Sequence, residues 1–169
     1  MRGSGCPGGP EVALGGMPLE GAYEPSTIGW VREQVEAYEA SGGARANTLR
    51  DTGLPVVIVT NRGAKSGKIR KTPLMRVEHD GRYLAVASQG GAPKHPVWYY
   101  NLLADPQVEL QDKGEKWDMT ARLLSGDERA EWWERAVAAF PSYADYQRKT
   151  EREIPVFLLE RSDGPSQTA

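Results

Sequence analysis

Residues 54–61, LPVVIVTN, contain an unbroken β-branched run that is typical of a buried β-strand. The adjoining segment, NRGAKSGKIRK at residues 61–71, places five cations around two glycines, and no carboxylate occurs from Thr52 through Val77. A shorter apolar segment, KTPLMRVEHD, then spans residues 71–80. This order predicts that the basic segment is a loop connecting two strands.

Four further strands are predicted from apolar runs, and two of the intervening turns carry a glycine typical of a tight hairpin. The strands span residues 81–88, 107–112, 116–125 and 154–160, and the turns lie at Asp80-Gly81 and Lys113-Gly114. Because most of the six strands are linked by hairpins, we expect a largely antiparallel sheet that closes on itself. The predicted class is α+β, a small β-barrel with helices packed outside.

Four helices are predicted from apolar spacing and from the positions of Pro and Gly. They span residues 26–42, 95–106, 126–140 and 141–150. The Gly- and Pro-rich residues 1–20 are expected to be a disordered leader or an expression scar, and residues 163–169 a loose tail. Residues 21–162 are therefore predicted to form a single domain.

Composition excludes several classes of function. The 169 residues carry a net charge of −2, so the whole chain offers no electrostatic surface for nucleic acid. Cys6 is the only cysteine, which excludes an internal disulfide framework. No apolar run approaches the ~18 residues of a membrane span, and residues 1–16 lack the apolar centre of a signal peptide, so a cytoplasmic location is expected.

Nucleic-acid binding by the basic loop is disfavoured, because the loop has no aromatic residue on which a base could stack, and two interpretations remain from its residues alone. The backbone N–H groups around Gly63, Gly67, Gly90 and Gly91, with neighbouring cations, could cradle a phosphate or carboxylate if the strands next to them pair. The alternative is a solvated turn whose lysines only improve solubility. The spacing does not match a phosphate-binding P-loop.

Aromatic residues form the second unusual group. Phe140, Tyr143 and Tyr146 recur at every third position, and they are either ordinary core residues or the wall of a pocket for a flat ring. His79 and His95 are isolated, so neither a zinc site nor a Cys/His nucleophile is supported. If the protein is an enzyme, we expect a cofactor to supply the reactivity.

Three segments closely resemble the deazaflavin-dependent nitroreductase family of actinobacteria. They are TNRGAKSGKIRKTPLM, VASQGGAPKHPVWYYNLLADP and FPSYADYQRKTEREIPVFLLE, and they occur in the family's order over roughly residues 54–160. The resemblance implies a split β-barrel of the FMN-binding type and reduced coenzyme F420 as hydride donor. It also implies that the basic loop holds the phosphate and oligoglutamate tail of the coenzyme.

The resemblance assigns coenzyme contacts position by position. Thr72 to Met75 and Val86 to Ser88 would border the deazaflavin ring, and Tyr143 would close over it. The complete set is Ala64, Lys65, Ser66, Arg70, Lys71, Thr72, Pro73, Leu74, Met75, Val86, Ala87, Ser88, Gln89, Val97, Trp98, Tyr99, Tyr100, Asn101 and Tyr143. The catalytic residues implied are Ser88, Tyr143 and Tyr146, whose hydroxyls would orient the acceptor; no metal is implied.

The expected activity is F420-dependent reduction of a small-molecule electron acceptor: a quinone, a conjugated carbonyl or a nitroaromatic. Gln89 replaces a lysine that is common in the family, and Met75 and Phe140 replace tyrosines found in some members, so the acceptor pocket should be less polar. Alternatives are an F420 carrier without efficient turnover and a split barrel that binds FMN or haem. The resemblance further implies a monomer, resting on the inner membrane face through its N-terminal helix if the acceptor is a quinone.

Overall fold

The computed structural model describes Leu19, residues 21–49 and residues 52–162. Within these ranges the helices are α1 (Gly29–Ala40), α2 (Val97–Ala104), α3 (Gly126–Ala139) and α4 (Ser142–Lys149). The strands are β1 (Val56–Arg62), β2 (Ile69–Met75), β3 (Glu78–His79), β4 (Arg82–Val86), β5 (Gln107–Asp112), β6 (Glu115–Leu123) and β7 (Val156–Arg161). The expected leader at residues 1–20, apart from Leu19, and the expected tail at 163–169 lie outside the described residues.

All seven strands belong to one sheet in the order β2-β1-β5-β6-β7-β4-β3, and every pairing is antiparallel. The edge strand β2 also contacts β4, so the sheet curls towards closure. These observations confirm the predicted antiparallel, barrel-like α+β fold. About six strands were expected and the structure has seven, because the chain leaves the ladder at Arg76 and Val77 and a separate short strand, β3, starts the next hairpin.

The predicted turns join the strands as expected. Asp80 and Gly81 both have positive φ, 56° and 78°, as the tight turn between β3 and β4 requires. Lys113 also has a positive φ, 56°, at the turn between β5 and β6. Gly43, which follows α1, approaches this turn so closely that a Cβ on it would lie 2.2 Å from the Lys113 Cα.

The two faces of the sheet bury separate cores because successive side chains of a strand point to opposite faces. On one face α1, α3 and α4 pack through residues such as Tyr38 and Trp132. On the other face α2 packs through Leu102 against residues such as Val108 and Phe157. The helices therefore cover both sides of the sheet, and the described helices include none that could cross a membrane.

The start of the described chain lies against the edge strand β2. Ile69 N–H donates to Ala22 O at 2.8 Å, and Glu24 N–H donates to Ile69 O at 2.9 Å. Pro73 sits within β2, a position that an edge strand tolerates because its outer side needs no ladder donor. The N-terminal segment therefore runs beside the loop that joins β1 and β2.

Candidate functional site

The basic loop between β1 and β2 is held in shape by its own backbone. Gly63 N–H donates to Lys68 O at 2.8 Å, and Gly67 N–H donates to Gly63 O at 3.0 Å. A Cβ on Gly63 would lie 2.7 Å from Ser66 Oγ, so a side chain there would displace the Ser66 hydroxyl. The loop is thus a defined turn that presents exposed side chains from a fixed backbone.

Asn101 on α2 ties this loop to the rest of the fold. Its side-chain Oδ1 accepts the Ala64 N–H at 2.9 Å, and its Nδ2 donates to Asn61 Oδ1 at 2.9 Å. Asn61 and Asn101 are 1% and 4% exposed, so the amide pair is buried. Because a side-chain amide both donates and accepts, Asn101 forms hydrogen bonds with the loop and with strand β1 at the same time.

The loop, the start of α2 and the N-terminal segment enclose a cleft of about 560 Å³. Seven residues predicted to contact the coenzyme line it: Ala64, Lys65, Ser66, Arg70, Val97, Tyr100 and Asn101. Gly63 and Glu24 complete the lining. Sequence reasoning missed Glu24, which lies 46 residues before Arg70 and gives no local signal.

The cations of the loop do not all face this cleft. Arg62 pairs with Asp105 at 3.1 Å, and Lys71 pairs with Glu39 on α1. Arg70 lines the cleft, where its guanidinium is 3.5 Å from the Glu24 carboxylate. Among the described residues no carboxylate contacts the ammonium of Lys65, so this cation is the one in the cleft lining without a protein counter-charge.

Strand alternation divides the residues predicted to border the ring. Leu74 packs into the core beneath α2, whereas Met75 is buried in the core beneath α1, α3 and α4. Helix α2 divides its residues in the same way: Val97, Tyr100 and Asn101 face the cleft. Trp98 and Tyr99 instead pack beneath the sheet, with ring centroids 6.1 and 5.8 Å from that of Phe157.

A second group of predicted residues lies where β4 ends against α4. Val86, Ala87 and Ser88 are buried, and Gln89, the next residue, is exposed. Gly91 packs directly on α4, since a Cβ on it would lie 2.8 Å from Tyr146 O. The segment that carries Ser88 and the helix that carries Tyr143 and Tyr146 are therefore in contact.

The aromatic residues of α4 form a cluster rather than isolated rings. The Tyr143 centroid is 5.0 Å from that of Phe140 and 6.2 Å from that of Tyr146, both in edge-to-face geometry. Tyr143 is 5% exposed, and burial, with a smaller effect from Tyr146, raises its pKa well above the ordinary value. Its hydroxyl consequently stays protonated and can only donate or accept a hydrogen bond at physiological pH.

The hydroxyls of Ser88 and Tyr143 have no hydrogen-bond partner in residues 21–49 and 52–162. Within those ranges the buried side-chain atoms without a partner are Gln34 Oε1 and Gln111 Oε1, so the Ser88 and Tyr143 oxygens keep some access to solvent and are open to a ligand. Neither residue lines the cleft beside the basic loop, and nor does Tyr146. Gly90 and Gly91 are also outside that cleft, because β2 and β4 are not ladder neighbours.

Comparison with known proteins identifies what the chain is similar to. A family model described as F420H(2)-dependent quinone reductase matches residues 30–161. The F420H(2)-dependent quinone reductase Rv1261c of Mycobacterium tuberculosis is 34% identical over 110 residues, which cover 63% of this chain and 74% of that protein.

Solved structures support the same relationship. An F420-H2 dependent reductase, FDR-A, is 57% identical with a TM-score of 0.61, over 63% of this chain and 94% of that one. A structure described as a domain-swapped dimer is 51% identical with a TM-score of 0.63, over 80% of this chain and 100% of that one. The haem storage protein HutZ of Vibrio cholerae, 14% identical with a TM-score of 0.50 over 64% of this chain and 82% of that one, shares the fold alone.

Proposed function

The chain belongs to the F420H(2)-dependent quinone reductase family, and on that premise we propose how its own residues hold coenzyme and acceptor. It is an oxidoreductase with a split β-barrel fold. When bound, reduced coenzyme F420 supplies a hydride to a small-molecule electron acceptor. In this proposal the coenzyme site is the cleft beside the basic loop, and the acceptor site lies where the segment that carries Ser88 packs on the helix that carries Tyr143 and Tyr146.

The observation that carries the coenzyme assignment is the Lys65 ammonium, which has no carboxylate partner within residues 21–49 and 52–162 and lies in a cleft rimmed by the basic loop. Phosphate and oligoglutamate groups are flexible anions, and several cations on a fixed turn would neutralise them. Arg70 is a second cation there, once its pairing with Glu24 is exchanged for the ligand. Lys71 contributes less, because its ammonium is directed to Glu39 on the other side of β2.

The two unpaired hydroxyls support the acceptor assignment. Addition of a hydride to a conjugated carbonyl leaves negative charge on its oxygen, and a fixed donor hydroxyl stabilises that charge. Tyr143 suits this role because its buried ring packs edge-to-face against Phe140 and Tyr146, which fixes the direction of a hydroxyl that is protonated at neutral pH. We therefore assign to Tyr143 and Ser88 the role of orienting the acceptor oxygen, and to Tyr146 the role of supporting Tyr143. Solvent supplies the proton that the reduced acceptor takes up.

Quinones and other conjugated carbonyls suit this site better than nitroaromatics. Met75 and Phe140 are 7% and 8% exposed and supply apolar surface where other members carry hydroxyls. Flat apolar walls with a few polar groups suit an aromatic or quinonoid ring. Fewer hydroxyl donors leave a nitro group, with its two oxygens, less well satisfied.

The first experiment is a titration of the protein with oxidised coenzyme F420, followed by coenzyme fluorescence, in parallel with FMN and at raised salt. Salt-sensitive F420 binding without a response to FMN is expected, followed by reduction of menadione with reduced F420. Preference for FMN would overturn the coenzyme assignment. F420 binding without turnover of menadione, other quinones or enones would indicate a carrier.

We also propose a monomer, as expected from the sequence, and the domain-swapped dimer among similar structures supplies the specific alternative. Light scattering after size-exclusion chromatography at several concentrations separates the two.

We further propose contact with a membrane surface through Ile28 and Trp30, which are 55% and 39% exposed at the start of α1. Co-sedimentation of the Ile28→Ser and Trp30→Ser variants with anionic vesicles tests it.

A further inference from the structure

Arg152, between α4 and β7, uses its guanidinium to hold a segment that is distant in sequence. It donates to Ala92 O through Nε at 2.9 Å, to Ser88 O through Nη2 at 2.9 Å and to Ala87 O through Nη1 at 3.2 Å. Nη1 also lies 2.9 Å from His95 Nδ1. All four partners lie in the segment that follows β4, residues 87–95.

This guanidinium acts by geometry and not by ion pairing. Within the described ranges no carboxylate contacts Arg152, and its partners are three carbonyl oxygens and an imidazole nitrogen. A planar guanidinium with five donors can satisfy several acceptors in fixed directions, which an ammonium cannot. The arrangement is therefore suited to fixing a backbone path.

The segment that Arg152 holds needs external support. Gln89, Gly90 and Gly91 have consecutive positive φ values of 45°, 65° and 82°. A left-handed conformation is uncommon for glutamine and persists where surrounding contacts enforce it. Since Ser88 immediately precedes this bend, the direction of its hydroxyl depends on the backbone that Arg152 binds.

The same guanidinium reaches the coenzyme side through His95. If Nδ1 accepts the Arg152 hydrogen, the ring proton is on Nε2, and the neutral ring stacks on Tyr99 with centroids 4.2 Å apart. The ring also meets the edge of Tyr100 at 6.0 Å, and Tyr100 lines the cleft beside the basic loop. Arg152 consequently contacts the supports of both proposed subsites.

We propose that Arg152 is a positioning residue that fixes the Ser88 hydroxyl and the cleft-facing start of α2 relative to one another. The inference rests on the proposed function for its catalytic consequence, but the contacts themselves can be tested in the protein without coenzyme. It predicts that the guanidinium shape matters and that positive charge alone is insufficient.

The test compares Arg152→Gln and Arg152→Lys with Arg129→Gln as a matched control. Arg129 is another half-buried guanidinium nearby, and it donates to Ile154 O at 2.6 Å. In the part of the chain that the structure describes, Arg129 makes no hydrogen bond, ion pair or ring contact with residues 87–95. Losing either arginine should lower stability. Only loss of Arg152 should release the segment after β4, which separates positioning from general destabilisation.

Two readouts need no coenzyme. In both Arg152 variants, amide exchange at Gly91 and Ala92 should accelerate about tenfold or more relative to Arg129→Gln. Burial and the Arg152 charge hold the pKa of His95 below its ordinary value, so NMR titration should show that this pKa rises in Arg152→Gln. Unchanged exchange and an unchanged His95 pKa would overturn the proposal.

The kinetic readout is the rate of menadione reduction by reduced F420, measured at a temperature below the unfolding transition of each variant. We expect kcat to fall about tenfold in both Arg152 variants, with a change in F420 affinity of less than about threefold. Full rescue by lysine, or an equal kcat loss in Arg129→Gln, would overturn the proposal. If the wild-type protein itself turns over no acceptor, the proposed function fails, while the exchange and NMR results still decide the role of Arg152.

Discussion

The carboxylate of Glu24 lies 3.5 Å from the guanidinium of Arg70 in the wall of the cleft that we assign to the coenzyme. The protein thus places one of its own carboxylates where an anionic ligand would meet Arg70. Both side chains are more than one third exposed, so the pair contributes at most about 1 kcal/mol. A ligand phosphate or carboxylate can displace it at little energetic cost.

Replacement of Glu24 should therefore strengthen coenzyme binding. In Glu24→Gln, Arg70 loses its internal counter-charge, and we expect the dissociation constant for F420 to fall about two- to fivefold. Fluorescence titration measures the change. Glu33→Gln, which removes an exposed glutamate of α1, controls for net charge, and equal tightening in both variants would contradict a specific role for Glu24.

Removal of the Lys65 charge should have the opposite effect. Lys65→Gln eliminates the cation in the cleft lining that has no counter-charge among the described residues, and F420 binding should weaken about tenfold with a smaller response to salt. Lys116→Gln, on an exposed part of β6, changes net charge equally and should leave the affinity near the wild-type value. The same loss in both variants would contradict a local contact at Lys65.

Asn101 should matter for both folding and binding. Asn101→Ala leaves the Ala64 N–H and the buried Asn61 amide without their partner, a loss of about 1–3 kcal/mol in unfolding free energy. Because the loop also loses its tie to α2, F420 affinity should fall. Urea unfolding and coenzyme titration measure the two effects, and wild-type affinity in a destabilised variant would show that the loop keeps its shape alone.

The hydroxyls of Ser88 and Tyr143 should affect turnover more than coenzyme binding. Tyr143→Phe keeps the buried ring and its contact with Phe140 but removes the donor, so kcat/KM for menadione should fall about tenfold or more. Ser88→Ala should lower it as well. F420 affinity is the internal control, and rates indistinguishable from wild type in both variants would eliminate the acceptor assignment.

The sequence was sufficient to predict the antiparallel sheet and the segments around the cleft. β-branched runs and the Asp80-Gly81 turn are local signals, and the structure retains both. The helical period would have separated Tyr100 from Tyr99, although the family resemblance assigned both to the coenzyme. To make this separation one needs to know only which positions of α2 share a face, and the helical spacing of its own residues gives that information.

Other features could not be read from local patterns. The neighbours Arg70 and Lys71 form ion pairs with different carboxylates, those of Glu24 and Glu39. The reason is that successive side chains of a strand point to opposite faces of the sheet. Their assignment requires knowing which helix covers which face. Arg152 acts on residues 57 to 65 positions away, and no spacing rule connects it to them.

The edges of the sheet have a consequence for behaviour at high protein concentration. One edge is β3, only two residues long, and the other is β2, which contains Pro73 and lies beside the N-terminal segment at Ile69. Short or proline-bearing edges are poor templates for an incoming strand. The described fold therefore resists edge-to-edge aggregation while leaving the turn that carries Lys65 open to solvent.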